Sequence, residues 1–260
     1  MPFKLKKFDT QKELFNYVVE NEEYILEEKK AEMKKADGFD FTIVSNKTIK
    51  TNKEQNLLDK EEINVTIVIN TTKLMDSHMD VHIDGMWDKS LLENKRIKHL
   101  QEHVRSFDHI ISDKEDLKAY VKTYTWKELG YDVEGKTQAL VFESKVKKSR
   151  NPYMHEQYAK GNVDNHSVGM QYVKLLTCIN DEDYPVQKEN WDKYYPMIVN
   201  NEVADKAGIF WAVLEAKCIE GSAVVDGSNP ITPTLSTKDK NITLDSNKKY
   251  LEAVKNWLAS

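Results

Sequence analysis

Two cysteines, Cys178 and Cys218, are all that 260 residues contain. That number leaves no disulfide framework and no cysteine-based zinc site. Glycine is scarce at nine residues, and neither GxxxxGK[ST] nor GxGxxG occurs, so the backbone loops that cradle nucleotide phosphates are missing. No HExxH pair is present, which removes the zinc-protease helix. No apolar run approaches the roughly 20 residues of a membrane span, and MPFKLKKFDTQKELF lacks the apolar stretch and small-residue cleavage site of a signal peptide. A net charge of -5 and a pI near 5.9 argue against a general nucleic-acid binder, which is usually basic. What is present is 40% hydrophobic and 31% charged. A chain of this length buries a substantial core. The expectation is a cytosolic, reduced, globular protein with neither membrane nor nucleic acid as partner.

The pattern of residues divides the chain into three parts. Residues 10–36 read as a helix: Asp9 or Thr10 can cap it, Leu14, Tyr17, Val18 and Ile25 fall near helical spacing, and Gly38 follows its charged end. The helix either covers the rest of the domain or is offered to a partner. Polar residues 46–62 complete an N-terminal helix-and-linker region, 1–62. The core, 63–225, opens on the β-branched run INVTIVIN. HIISDKEDLKAYVKTYTW then carries a hairpin signal, with Leu117, Ala119, Val121 and Thr123 alternating against Lys118, Tyr120, Lys122 and Tyr124. A strand at 137–146 places Ala139, Val141 and Glu143 on one face. A short helix at 151–161 has Pro152 in its first turn and Gly161 at its stop. Further strands are expected at HSVGMQYVKLLTCI and 208–225, separated by a helical stretch, roughly 186–207, that Pro196 breaks. Residues 226–260 read as a flexible tail with a short amphipathic segment, YLEAVKNWL. Non-adjacent strands with helices between them predict an α+β fold, a barrel-like or curved, mostly antiparallel sheet flanked by helices.

Two sets of residues carry possible chemistry. In His78-Met-Asp80-Val-His82-Ile-Asp84, an extended backbone would turn all four polar groups to one side, as a transition metal requires. The alternation equally suits a solvent-exposed strand face, which is the preferred reading, and no cofactor is expected. The second set is a serine with a base. A hydroxyl needs an imidazole to take its proton and a third group to orient that imidazole. Ser167, in Asn165-His166-Ser167-Val168-Gly169, begins an apolar strand, and Gly169 permits another backbone to come close. Of the histidines, His166 is disfavoured as base because neighbours on a strand point to opposite faces. His99 and His103 stand four apart, and that spacing does not choose between them.

The succession of segments over about residues 63–230 resembles the prohead maturation proteases of tailed phages, which are distantly similar to the herpesvirus capsid-maturation serine protease. MDSHMDVHIDGMWDKSL (75–91) is similar to the family's acidic, aromatic-containing opening, and Leu100-Gln101-Glu102-His103 to its LWxH-like run. LVFES carries Glu143, and Ser167-Val168-Gly169-Met170 matches the SxGF-like serine motif. FWAVLEAKCIEGSAV (210–224) matches loosely the closing acidic strand, without the family's Pro-Ala-Asn-like turn. The resemblance implies a serine endopeptidase with Ser167 as nucleophile, His103 as general base and then acid, and Glu143 as the group that orients the imidazole. Backbone N–H groups are the default oxyanion donors, with Arg105 and Arg150 the nearest arginines. It also implies that the scaffold and the major capsid protein are substrates, that cleavage occurs inside the assembling prohead in the host cytoplasm, that the enzyme cuts itself, with 226–248 as the candidate region, and that it can form a homo-oligomer. The competing class is a non-catalytic capsid-assembly or scaffold component that keeps the same fold.

Overall fold

The computed structural model describes residues 8–34, 57–94 and 96–239. Among these residues ten strands form two open sheets. The first has the order β1 (Met33–Lys34), β8 (His166–Ile179), β9 (Ile209–Ala223), β4 (Lys98–Gln101), β5 (Ile110–Asp113), with β3 (Asp80–His82) also on β9. The second has the order β10 (Thr234–Asp239), β2 (Glu62–Thr71), β7 (Lys136–Lys147), β6 (Leu117–Thr125). The second sheet is antiparallel throughout. In the first, β9 is the spine, antiparallel to β8 and parallel to β3 at one end and β4 at the other. The fold is α+β with a sheet core, and neither sheet closes into a barrel.

The sheets face each other through the alternate residues that period two turns inward. Ile63, Val65 and Ile67 of β2 and Leu140, Phe142 and Val146 of β7 meet Val168, Met170 and Tyr172 of β8 and Cys218 of β9. Each fully buried aliphatic or aromatic side chain here is worth about 1.5–3 kcal/mol. Gly221 allows the close approach: a Cβ there would stand 2.5 Å from the Phe142 ring and 2.9 Å from Ile69.

Among the described residues six α-helices flank the sheets: α1 (Gln11–Glu20), α2 (Glu22–Ala31), α3 (Asp88–Glu93), α4 (Pro152–Lys160), α5 (Pro185–Tyr194) and α6 (Asn201–Ala207). The sequence expectation for 151–161 holds in detail. Asn151 caps α4 by accepting from the Met154 N–H, and Gly161 ends it in the left-handed region at φ 72°. Pro196 sits in a 3₁₀ turn between α5 and α6, as its missing N–H requires.

Other expectations change. The single helix 10–36 is two, broken at Asn21, with Thr10 Oγ1 capping the first. Both lie on the core, with Phe15, Val18 and Ile25 buried. Lys29 is buried with them: its Nζ donates to Asp80 Oδ1 at 2.6 Å and lies 4.1 Å from the Trp211 ring centroid. The hairpin expected within 109–126 is absent, because the chain changes sheets there. β5 pairs with β4 and β6 with β7, and the crossing is made at Lys114, whose φ is +52°. Residues 226–239 are an integral part of the fold, not a tail. Asn229, Ile231 and Thr232 are buried, Asn229 Nδ2 donates to the Thr71 carbonyl, and β10 extends the second sheet. Their polar, turn-rich composition looks flexible in sequence, but the polar groups are consumed by specific backbone partners. Residues 35–36, linker residues 46–56, and 240–260 with the YLEAVKNWL segment lie outside the described residues.

Candidate active site

Strand parity decides which side chains meet. Val168 and Met170 face the core, so Ser167 and Gly169 face the opposite, outer side of the first sheet. In the β8–β9 register Ser167 is the partner of Ser222, and Gly169 of Glu220. Directly opposed residues have Cβ atoms only about 4.5–5.5 Å apart. Glu220 reaches this outer side because of a bulge. Met170 pairs with Cys218 while Gly169 pairs with Glu220, leaving Ile219 as an extra residue in β9. In an uninterrupted strand Cys218 and Glu220 would share a face; the bulge keeps Cys218 in the core and re-aims Glu220 outward.

β4 delivers the histidine. It runs parallel to the end of β9 through Gln101, then turns sharply at Glu102 and His103, both left-handed at φ +52° and +58°. Two successive non-glycine residues in that region cost of order 1–3 kcal/mol each and persist only where surrounding contacts impose them. Here the Glu102 N–H donates to the Ala223 carbonyl (2.9 Å) and the His103 N–H to Ser222 Oγ (3.1 Å). The His103 ring then meets Glu220, with Nδ1 2.5 Å from Oε1, and Ser222 Oγ donates to Oε2 at 2.6 Å. A carboxylate only accepts, so Nδ1 carries the proton and Nε2 is left as the basic nitrogen. Gly169 is indispensable to this packing: a Cβ there would stand 1.9 Å from Glu220 Oε1. Ser167 is 5% exposed. Among the described residues its hydroxyl makes no hydrogen bond. Serine–imidazole contacts are often long without substrate and tighten when it binds.

The sequence-predicted set is therefore brought together only in part. Ser167 and His103 both adjoin Ser222, the first as its strand partner and the second through its backbone N–H. Glu143 does not: it is exposed on the outer face of the second sheet, where it accepts from Tyr120 Oη at 2.9 Å and lies 3.8 Å from Lys118 Nζ. The reason is the parity noted in its own strand. Glu143 shares a face with Ala139 and Val141, whereas its neighbours Phe142 and Ser144 point toward the first sheet. Glu220 takes the position beside the imidazole. Its segment was visible as the acidic closing strand, but no alternation rule identifies a side chain re-aimed by a bulge. Of the two arginines, Arg105 lines a cavity next to Glu220, while Arg150 pairs with Asp113 at 3.3 Å in a separate cleft.

A cavity of about 490 Å³ opens beside the cluster, lined by Glu220 and Ile219 of β9, Lys98 and Leu100 of β4, Ile110, and residues 105–107. A smaller one, about 190 Å³, is lined by Gln101 and Glu102 before His103 and by Ala223 and Val224 after Ser222, with α4 opposite.

His99 and His166, the other histidines of these strands, point inward and are joined through Tyr158. His166 Nδ1 donates to the Thr232 carbonyl (2.8 Å), so its Nε2 accepts from Tyr158 Oη (3.0 Å). Tyr158 Oη in turn accepts from His99 Nε2 (3.1 Å), and His99 Nδ1 accepts from Ser144 Oγ (2.8 Å). Burial holds His99 well below the usual imidazole range, with His166 adding to the effect, and pushes His166 down to about 4.

The 78–84 segment is not the solvated strand face expected from its alternation; Asp80, Val81 and His82 are all buried. Asp80 accepts from Lys29 and from Tyr172 Oη (2.8 Å). His82 Nδ1 accepts from Asn70 Nδ2 (2.9 Å), and Asp84 accepts from Thr72 Oγ1 (2.5 Å). Among the described residues no group of three or more His, Cys, Asp or Glu is placed to hold a metal ion.

Comparison of the chain with protein-family models, with curated proteins and with solved structures finds no match to any of the three.

Proposed function

We propose that the chain is a serine endopeptidase with Ser167 as nucleophile, His103 as base and Glu220 as the orienting carboxylate. The observation that carries this reading is the 2.5 Å contact between His103 Nδ1 and Glu220, locked by Ser222, the register partner of Ser167. In the proposed reaction His103 Nε2 takes the Ser167 hydroxyl proton as Oγ bonds to the peptide carbonyl carbon. The protonated imidazole then gives that proton to the leaving amine as the C–N bond breaks. Water then gives a proton to the same nitrogen as its oxygen bonds to the acyl carbon, and the imidazolium returns that proton to Oγ as the C–Oγ bond breaks, freeing the acid. Glu220 holds the ring in the required tautomer and stabilises its charged form.

The ordered resemblance of segments to tailed-phage prohead proteases suggests the substrates: scaffold and major capsid protein within the prohead, and the chain itself. Within the described part of the self-cleavage region, 226–239, Thr234–Asp239 pair in the second sheet and Asn229, Ile231 and Thr232 are buried, so self-cleavage there would have to precede or disrupt that packing.

A second reading is a non-catalytic capsid-assembly component, favoured by the lack of a Ser167 hydroxyl hydrogen bond among the described residues. One experiment separates the two: co-expression with the phage's own capsid and scaffold proteins, comparing wild type with Ser167→Ala by intact mass. Trimming by wild type alone supports the peptidase. Equal trimming by both removes Ser167 as nucleophile, and trimming by neither favours the assembly component.

A further inference from the structure

Among the described residues the strands at the ends of the two sheets are β1, β5, β10 and β6, of two, four, six and nine residues. Edges are ordinarily kept short or bent by bulges, because a row of unpaired N–H and C=O groups invites another strand. β5 and β10 follow that rule, each with a shift of register against its neighbour. β6 does not. It pairs with β7 in unbroken register from Leu117 to Thr125, and no described strand lies along its other edge. On its inner face Leu117, Ala119 and Val121 pack against the core, with Thr123 and Thr125 continuing the row. On its outer face lysine and tyrosine alternate, as Lys118, Tyr120, Lys122 and Tyr124. Each lysine amine lies over the ring of the tyrosine two residues on, at 5.1 Å for Lys118 and 4.7 Å for Lys122.

We propose that this edge is an isologous interface, taken by the β6 edge of a second copy in antiparallel pairing about a twofold axis at Val121. Directly opposed residues share a face, so the axis must pass at a residue, and the choice of residue decides which side chains meet. With the axis at Val121, the fifth of the nine, every residue of the strand pairs. Lys118 then meets Tyr124 of the second copy, and Tyr120 meets its Lys122. With the axis at Tyr120, Lys118 would oppose Lys122; with it at Lys122, that lysine would oppose itself. Like charges directly opposed are unfavourable, whereas an amine against a tyrosine ring extends the contact both lysines already make. The lysines therefore select one register instead of closing the edge to every strand. On the inner face Val121 meets its own copy, and Leu117 and Ala119 meet Thr125 and Thr123. A cleft of about 290 Å³, lined by Leu91 and Ile97 together with Leu117 and Ala119, gives those threonines room. The pairing joins two four-stranded sheets into one of eight and is independent of any chemistry at Ser167.

The test uses the full chain with single cysteines placed on the inner row; the native thiols, Cys178 and Cys218, are both buried. Opposed Cα atoms in an antiparallel pair stand about 4.5–5.5 Å apart, within disulfide range. Mild oxidation should give a covalent dimer of Val121→Cys, almost none of Ala119→Cys or Thr123→Cys alone, and a dimer again when those two are mixed. In sedimentation the wild-type chain should associate with a dissociation constant on the order of 10–100 μM, since a strand edge is a small interface. Tyr120→Lys sets amines against each other at two places, and should weaken association about tenfold with an unchanged circular dichroism spectrum. A wild-type chain still monomeric at about 500 μM, equal cross-linking from positions 119, 121 and 123, or association that Tyr120→Lys leaves unaltered overturns the interface.

Discussion

Two histidine clusters share the strands β4 and β8 and lie on opposite faces of one sheet. His99 and His166 face inward, His103 and Ser167 outward, although His99 and His103 are four residues apart and His166 and Ser167 adjacent. Within the inner histidine cluster the partners are neutral and the run of donors ends on a carbonyl, from Ser144 through His99, Tyr158 and His166 to Thr232. On the outer face the imidazole meets a carboxylate, the backbone is held left-handed, and cavities adjoin it. A buried histidine is thus of two kinds. One is satisfied as a neutral donor and acceptor and serves the fold. The other has its Nδ1 proton held by a carboxylate, which fixes the orientation and tautomer of the ring.

The largest expected effect breaks the outer cluster. Glu220→Gln keeps the shape but gives Nδ1 a neutral partner and no compensation for imidazolium charge. On the peptidase reading kcat falls by roughly four orders of magnitude, while thermal unfolding in the absence of substrate changes far less. Peptide hydrolysis by purified variants measures the first, calorimetry the second.

Acid should break the inner cluster instead. His166 titrates at about 4 in the fold against 6.5 for an unperturbed imidazole, and His99 is displaced in the same direction. Between those values the unfolded chain binds more protons than the folded one, so stability rises with pH and falls on acidification. From His166 alone the loss is on the order of 3 kcal/mol at pH 4 relative to neutral pH. Denaturant midpoints should decline from pH 6.5 downward, and more steeply in wild type than in His166→Asn. Equal slopes would show that the inner histidine does not control acid lability.

Gly169→Ala sharpens the comparison, because it changes the outer face without removing a polar group. Its Cβ would overlap Glu220 Oε1, so the carboxylate must leave His103. A hundredfold fall in kcat, on the order of 3 kcal/mol of transition-state stabilisation, is expected with an unchanged KM. The inner-face counterpart is Tyr158→Phe, which removes the hydroxyl between the two rings and leaves a nitrogen on each without its partner. Destabilisation of about 2 kcal/mol is expected, read from urea unfolding, with kcat near wild type well below the midpoint.

Much of the architecture was legible as period and punctuation. INVTIVIN, the stretch from His166 to Ile179, the Pro152–Gly161 helix and the break at Pro196 all follow from side-chain spacing and backbone chemistry that act locally. The rest depended on which sheet a strand joins, and no local signal carries that. HIISDKEDLKAYV looks like a hairpin because its two strands are close in sequence, but they join different sheets at Lys114. The site divides the same way. Ser167 is open to recognition by its strand-start position and Gly169, and alternation alone turns His166 to the face opposite it, where its ring meets Tyr158 and Thr232. His103 could not be separated from His99 by spacing, since the left-handed turn at 102–103 is what sends it outward. Glu220 was hidden by the bulge at Ile219, which inverts the parity that a reader of alternation would apply.

The smallest expected effect tests that last point. Glu143 stands where chain order alone would seek the third member of the site, on the strand before the serine, and its own parity turns it outward. There it holds Tyr120, whose hydroxyl is pushed up to about 12 by burial first and by this contact second, and it is close to Lys118. Both partners remain solvated, and exposed pairs of this kind contribute about 0–1 kcal/mol. Glu143→Gln keeps the shape and an acceptor for the Tyr120 hydroxyl, so stability should move by no more than about 0.5 kcal/mol and peptide hydrolysis should be unaltered. The Tyr120 hydroxyl should titrate at lower pH in the variant, because the neighbouring negative charge no longer opposes its ionisation; ultraviolet difference spectra against pH would show it. A fall in hydrolysis comparable to that of Glu220→Gln would instead mean that the outer face of the second sheet takes part in the reaction, and that the pairing of His103 with Glu220 is structural.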